Sequence, residues 1–187
     1  MKNYLYLFLF LLLVSCSNET SDKSNGTLEK EDELSVYEDL IVIESQIFSI
    51  ADNPEKSIEL QNLGKQLYYL STKYILGAND QNLENVYELA ALGAEVSGKY
   101  DDAINYLYQA QRKFPKSEKA AIYLFNRARI LESKLDKIKE AKIAYQELVE
   151  LYPNDSIAIS MKLYLESELI DKSEDELLEF LDSASNQ

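Results

Sequence analysis

An internal repeat constrains this chain more than any other feature. Displaced by 38 residues, Tyr87 falls on Phe125, Ala90 on Ala128, Leu92 on Ile130, Tyr100 on Ile138, Ala103 on Ala141, Phe114 on Tyr152 and Pro115 on Pro153, with size and polarity kept at each position. A recurrence of this length marks one supersecondary unit that cannot bury its apolar face alone, so the copies must stack and share a core. Each copy reads as a helix, a short turn (Ser97-Gly98-Lys99 or Leu135-Asp136-Lys137), a second helix and a Pro that stops it. Small Ala103 and Ala141 let the paired helices approach closely. The aromatic before each Pro is placed to seal the junction with the next hairpin.

The flanks carry the same helical period. Leu34, Tyr37, Leu40, Ile41, Ile43, Ile47 and Phe48 lie mostly three and four apart. Asn53-Pro54 restarts the chain, Asn53 as a cap and Pro54 in a first helical position, where a missing N–H costs nothing. Ile58, Leu60, Leu63, Leu67, Leu70 and Tyr74 follow, closed by the turn Gly77-Ala78-Asn79-Asp80. Ser173-Glu174-Asp175-Glu176 has the form of a capping box ahead of Leu177, Leu178, Phe180 and Leu181. No sustained period-two alternation occurs, so the pattern predicts an all-α domain over residues 33–187, with the clearest repeats at 83–117 and 118–155.

These copies resemble the tetratricopeptide repeat, in which a small residue opens the second helix and an aromatic-Pro or Asp-Pro pair ends it. Gly98-Lys99-Tyr100-Asp101-Asp102-Ala103-Ile104 with Phe114-Pro115 matches well, and Lys139-Glu140-Ala141 with Tyr145 and Tyr152-Pro153 matches fairly. There are departures: the period is 38 rather than about 34, Asp136 stands where Gly is usual, and Arg129 holds a position normally given to Gly or Ala. Residues 116–120 are expected to absorb the extra length. The resemblance implies an α-solenoid of about eight helices in four hairpins, a right-handed stack with weaker outer hairpins as caps, whose concave groove is lined by the first helix of each hairpin. Counting in threes and fours from Asn85 gives Glu88, Leu92 and Glu95, and the 38-residue shift carries these to Tyr123, Asn126, Ile130 and Ser133. Such a mixed, mildly acidic stripe suits a peptide or helix with basic and apolar side chains, while a merely solvated face is the alternative.

The amino terminus carries a different signal. Met1-Lys2-Asn3 precedes an unbroken apolar run over residues 4–14 and then Ser15-Cys16, which is the build of a secretory signal. A membrane-spanning helix needs about 20 apolar residues, so this run is too short to span. Leu13-Val14-Ser15-Cys16 resembles the lipobox of bacterial lipoproteins. The resemblance implies a signal peptide over 1–15, a lipid-bearing Cys16 carrying diacylglycerol and palmitate, and a flexible tether through residue 32. An ordinary signal peptide is the alternative, and it would leave Cys16, the single cysteine, as an unpaired thiol. About 16 residues of polar coil reach roughly 20–25 Å. Ser17 after the Cys fits outer-membrane sorting in the lipoprotein resemblance, and Glu19 and Asp22 are a sparse version of the acidic run that some Bacteroidota lipoproteins use for surface display. The expected location is therefore the bacterial outer membrane, facing the periplasm. The whole arrangement is similar to small Bacteroidota-type repeat lipoproteins.

Composition removes most chemistry. The chain has 33 Asp+Glu, 19 Lys+Arg and no His, a formal net charge of -14. No imidazole base, Ser-His or Cys-His pair or His metal ligand is available. Phosphate binding needs a basic surface, so nucleic acid is not expected as a partner. The 5 Gly form no phosphate-cradling loop, so no nucleotide is expected either. Carboxylate pairs such as Asp101-Asp102 and Glu174-Asp175-Glu176 sit at helix N-termini, where the helix dipole already accounts for them. Tyr68, Tyr69, Tyr106, Tyr108 and Tyr123 admit an aromatic-surface reading or, more simply, core packing. No catalytic residue, metal or cofactor is assigned. The reading is a lipid-anchored protein–protein interaction scaffold of the cell envelope, with outer-membrane or cell-wall assembly as the role the resemblance implies. The alternatives are a carboxylate-dependent glycan hydrolase and an oligomeric accessory lipoprotein.

Overall fold

The computed structural model describes residues 30–77, 82–167 and 176. The expected signal peptide, Cys16 and most of the expected tether lie outside the described residues, as do most of the 77–80 turn and the start of the capping box at Ser173. Seven α-helices run in order among the described residues, and no strand occurs there: α1 (Lys30–Ile50), α2 (Ser57–Gly77), α3 (Leu83–Val96), α4 (Tyr100–Lys113), α5 (Ala120–Ser133), α6 (Ile138–Leu151) and α7 (Ser156–Glu166). Sequential helices pack as the hairpins α1–α2, α3–α4 and α5–α6, and α7 packs on α6 and α5. This is a tetratricopeptide-like stack. The eighth expected helix, apart from Glu176, lies outside the described residues. Helix α1 begins at Lys30, so residues 30–32, expected at the end of the tether, belong to the helical domain.

Local chemistry sets the boundaries. Asn53 Oδ1 accepts from the Glu55 N–H at 3.0 Å, and Pro54 opens a single 3₁₀ turn that feeds α2. Asp155 caps α7 by accepting from the Ile157 N–H at 2.8 Å. Helix α4 carries Asp101 and Asp102 in its first turn and Arg112 and Lys113 in its last, matching the helix dipole at both ends. The two intra-hairpin turns share a left-handed residue, Gly98 at φ 81° and Asp136 at φ 54°, separated by the 38-residue repeat. Six residues, 114–119, join α4 to α5, but only four, 152–155, join α6 to α7. The turn at 134–137 is also one residue longer than that at 97–99. The extra length is thus shared between two turns rather than confined to 116–120.

Helix α3 lies at the centre of the described stack and buries Val86, Tyr87, Leu89, Ala90, Ala91, Gly93 and Ala94, with its polar residues Glu84, Asn85, Glu88 and Glu95 half-buried. Its crossing with α2, the most extensive helix contact, needs two glycines. A Cβ on Gly93 would meet the Tyr68 backbone nitrogen at 2.4 Å, and one on Gly64 would meet Val96 Cγ1 at 2.7 Å. Ala103 and Ala141, which open the second helices, are fully buried. Of the aromatics before each Pro, Phe114 packs against Tyr87 of its own hairpin with ring centroids 6.3 Å apart, in a core cluster that also holds Tyr123 and Ile130 of α5, whereas the Tyr152 hydroxyl reaches back to the preceding repeat, 3.4 Å from the Pro115 carbonyl oxygen. Each fully buried Leu or Ile stabilises by roughly 1.5–3 kcal/mol. Leu40, Ile47, Leu67, Leu89, Leu124, Ile130 and Leu148 spread that gain over every hairpin.

Candidate functional site

The first helices of three consecutive hairpins, α1, α3 and α5, frame a groove of about 240 Å³. Its walls are Glu44 and Phe48 from α1, Glu88, Ala91, Leu92 and Glu95 from α3, Leu107 from α4, and Asn126 and Arg129 from α5. Helical spacing explains who points in. Glu44 and Phe48 are one turn apart, as are Glu88 and Leu92, or Ala91 and Glu95, so each helix presents a short stripe.

Two ion pairs tie α3 to the next hairpin across this surface. Lys119 Nζ donates to Glu88 Oε2 at 2.7 Å, and Arg129 holds Glu95 with two bonds of 2.9 and 2.7 Å. The bidentate fork fixes direction as well as charge. Hydrogen bonding to Glu88 holds the Lys119 ammonium above its ordinary pKa, and Glu95 does the same for the Arg129 guanidinium. Glu44 differs. Burial raises its pKa first, the Glu88 charge raises it further, and Lys119 offsets part of this. No hydrogen bond or ion pair joins the Glu44 carboxylate to any described residue.

Of the residues the sequence nominated, Glu88, Leu92, Glu95 and Asn126 line the groove together. Asn85 stands outside that lining; its amide donates to the Tyr37 hydroxyl at 3.0 Å, and its Oδ1 is 3.5 Å from Lys119 Nζ. Tyr123 and Ile130 are core residues, 1% and 0% exposed, packed with Tyr87, Ala94 and Leu107. Their nomination as partner-binding residues is corrected here. Three residues along a helix is about 60° round it, so positions 123 and 130 turn into the core while 126, between them in sequence, faces the groove. Ser133 is exposed at the end of α5 and donates to the Arg129 carbonyl at 2.7 Å.

Sequence reasoning missed Glu44, Phe48, Ala91, Leu107 and Arg129. Arg129 had a signal: it departs from the small residue usual in the repeat, and its counterpart 38 residues earlier is the groove residue Ala91. Phe48 is 63% exposed although it falls within the apolar period of α1, so the helix pattern alone assigned it to the core. Among the described residues no cluster of three or more His, Cys, Asp or Glu is placed to hold a metal, and no helix is long and apolar enough to cross a membrane.

The fold and groove define a stack of helical hairpins with a lined concave face. Residues 123–155, the third hairpin and its closing Tyr152-Pro153, match the tetratricopeptide repeat family. No curated protein and no solved structure shows a match to this chain. A tetratricopeptide repeat points to a protein–protein interaction scaffold, since such repeats generally mediate partner binding.

Proposed function

We propose that this chain is a non-enzymatic scaffold of the bacterial cell envelope, lipid-anchored at Cys16 to the outer membrane and facing the periplasm, that captures a protein segment in its concave groove. The groove shared by α1, α3 and α5 is the observation that carries the capture step, because a segment bound there touches three hairpins at once. The anchor rests on the Leu13-Val14-Ser15-Cys16 sequence, and a role in outer-membrane or cell-wall assembly rests on resemblance to repeat lipoproteins. Cross-linking the full-length protein in its own cells, followed by capture and mass spectrometry, tests the reading. The expected result is enrichment of an envelope-assembly component that Glu88→Ala with Asn126→Ala removes. Recovery of the protein alone, or turnover of a glycan by the purified chain, would overturn it. Labelling with a palmitate analogue tests the anchor separately, with Cys16→Ser expected to abolish incorporation.

A further inference from the structure

The groove's carboxylates are not equivalent. Glu88 is occupied by Lys119 and Glu95 by Arg129, so two of the three acids facing the groove are neutralised from within the stack. Arg129 is further engaged by Asn126 Oδ1 at 3.4 Å, and with both of its terminal nitrogens on Glu95 it has no bidentate face left for an incoming carboxylate. Glu44 keeps a half-buried carboxylate with no hydrogen bond or ion pair to a described residue. One turn along the same helix stands Phe48, exposed, and across from both stands half-buried Leu92. Ile41, three residues before Glu44, extends an apolar-acid-apolar stripe along α1 and is 37% exposed.

We propose that the groove selects a partner segment that sets one basic side chain on Glu44 and, about one helical turn away, an apolar side chain on the Phe48–Leu92 wall. The proposal deepens the scaffold reading above and rests on it for the use of the groove. Charge complementarity chooses the occupant. An acidic segment would meet Glu44, which Lys119 offsets only in part from a distance, and a chain of net charge -14 behind it, whereas a lysine or arginine supplies the direct partner that the fold withholds from Glu44 alone among the groove's acids. The internal pairs sharpen the choice, because Lys119 and Arg129 leave one open acid rather than a diffuse acidic field.

The test is a random 12-residue peptide library on phage, panned against the full-length chain. Selected peptides are expected to share a Lys or Arg three or four positions from Leu, Phe or Met. A synthetic copy of the best peptide should bind Glu44→Gln at least tenfold more weakly and Phe48→Ser more weakly, while Glu150→Gln, exposed on α6 and away from the groove, changes nothing. Failure to select any peptide, an acidic consensus, or affinity unchanged in Glu44→Gln would overturn the proposal. Glu44 and Phe48 leave the packed core untouched, so both variants fold. If the cellular partner is captured through Glu88 and Asn126 while the library shows no basic consensus, the scaffold reading stands and the Glu44 assignment falls. A Glu44-dependent basic consensus without any envelope partner gives the reverse.

Discussion

Gly93 shows how much a single missing Cβ decides. An added methyl there meets the Tyr68 backbone nitrogen at 2.4 Å and the Gly64 carbonyl oxygen at 2.9 Å, and backbone cannot rotate aside as a side chain can. Gly93→Ala should therefore force α2 and α3 apart and cost at least about 2 kcal/mol, in the upper part of the range for overpacked cores. A urea titration checks it, and a midpoint within error of the parent would refute the tight crossing. Glu44 makes the opposite case. Its folded pKa is raised, so the folded chain holds its proton more tightly than the unfolded chain does, and ionisation above that pKa costs stability. Stability should rise as pH falls through the raised value. Glu44→Gln, which carries no charge, should melt no lower than the parent at pH 7 while it binds the selected basic peptide more weakly. Thermal melts read beside peptide titrations separate the two effects. A residue that binds at the expense of stability is what a capture surface requires, whereas a structural acid would lose both together.

At the scale of the element, hairpins are closed by polar clamps that hydrophobic periodicity does not show. Glu132 on α5 accepts from the Tyr145 hydroxyl of α6 at 2.8 Å and from the Tyr164 hydroxyl of α7 at 2.6 Å, so one carboxylate pins three helices. Glu132→Ala leaves two phenols without that acceptor and should cost roughly 2–4 kcal/mol, whereas Glu132→Gln keeps one acceptor oxygen and should fall between. Chemical denaturation of the three proteins gives the order directly. The turns offer a second comparison. Gly98→Ala puts a Cβ on a residue at φ 81° with open space around it, so only the backbone objects, at about 1–2 kcal/mol. Asp136→Gly relieves the same conformation at φ 54° and should gain under about 1 kcal/mol, because glycine also loosens the unfolded chain. Their opposite signs at equivalent turn positions would confirm that the two hairpins are one motif. The motif was legible in sequence because Ala, aromatic and Pro recur in register. The rotation of α5 was not: a three-four count places Asn126 and Ile130 on one stripe, yet the roughly 40° between them separates groove from core. The ion pairs of Glu88 and Glu95 were illegible for a related reason, since Lys119 and Arg129 reach back from the next hairpin and no spacing within one helix reveals them.

At the scale of the molecule, the hairpins join through tyrosine–carboxylate bonds at successive junctions. Tyr68 of α2 donates to Asp102 of α4 at 3.0 Å, Tyr123 of α5 to Glu84 of α3 at 2.9 Å, and Tyr145 of α6 to Glu132 of α5. Tyr68 and Tyr123 each cross from one hairpin to its neighbour, and Tyr145 closes the third. The sequence left Tyr68 and Tyr123 open to a surface or a core reading, but a partner lying 34 or 39 residues away belongs to the fold rather than to any local pattern. Burial and the bonded carboxylate push Tyr68 up to about 12, and the same causes, burial first, hold Tyr123 and Tyr145 well above the ordinary phenol value. In the unfolded chain these phenols ionise near pH 10. Above that pH the folded state holds more protons than the unfolded one, so the stabilisation is complete below about pH 10 and is lost as pH rises through the folded values. The urea midpoint should stay flat from pH 8 to about 10 and then fall steeply, and absorbance near 295 nm should show a late group of tyrosines that ionise only with unfolding. In a stack where each hairpin touches only its neighbours, losing one junction removes support from the next, so the alkaline transition should be a single cooperative step. Tyr145→Phe should make the fall shallower. If the late group titrates before the fold is lost, the junction phenols are open to water and this account of the stack is wrong.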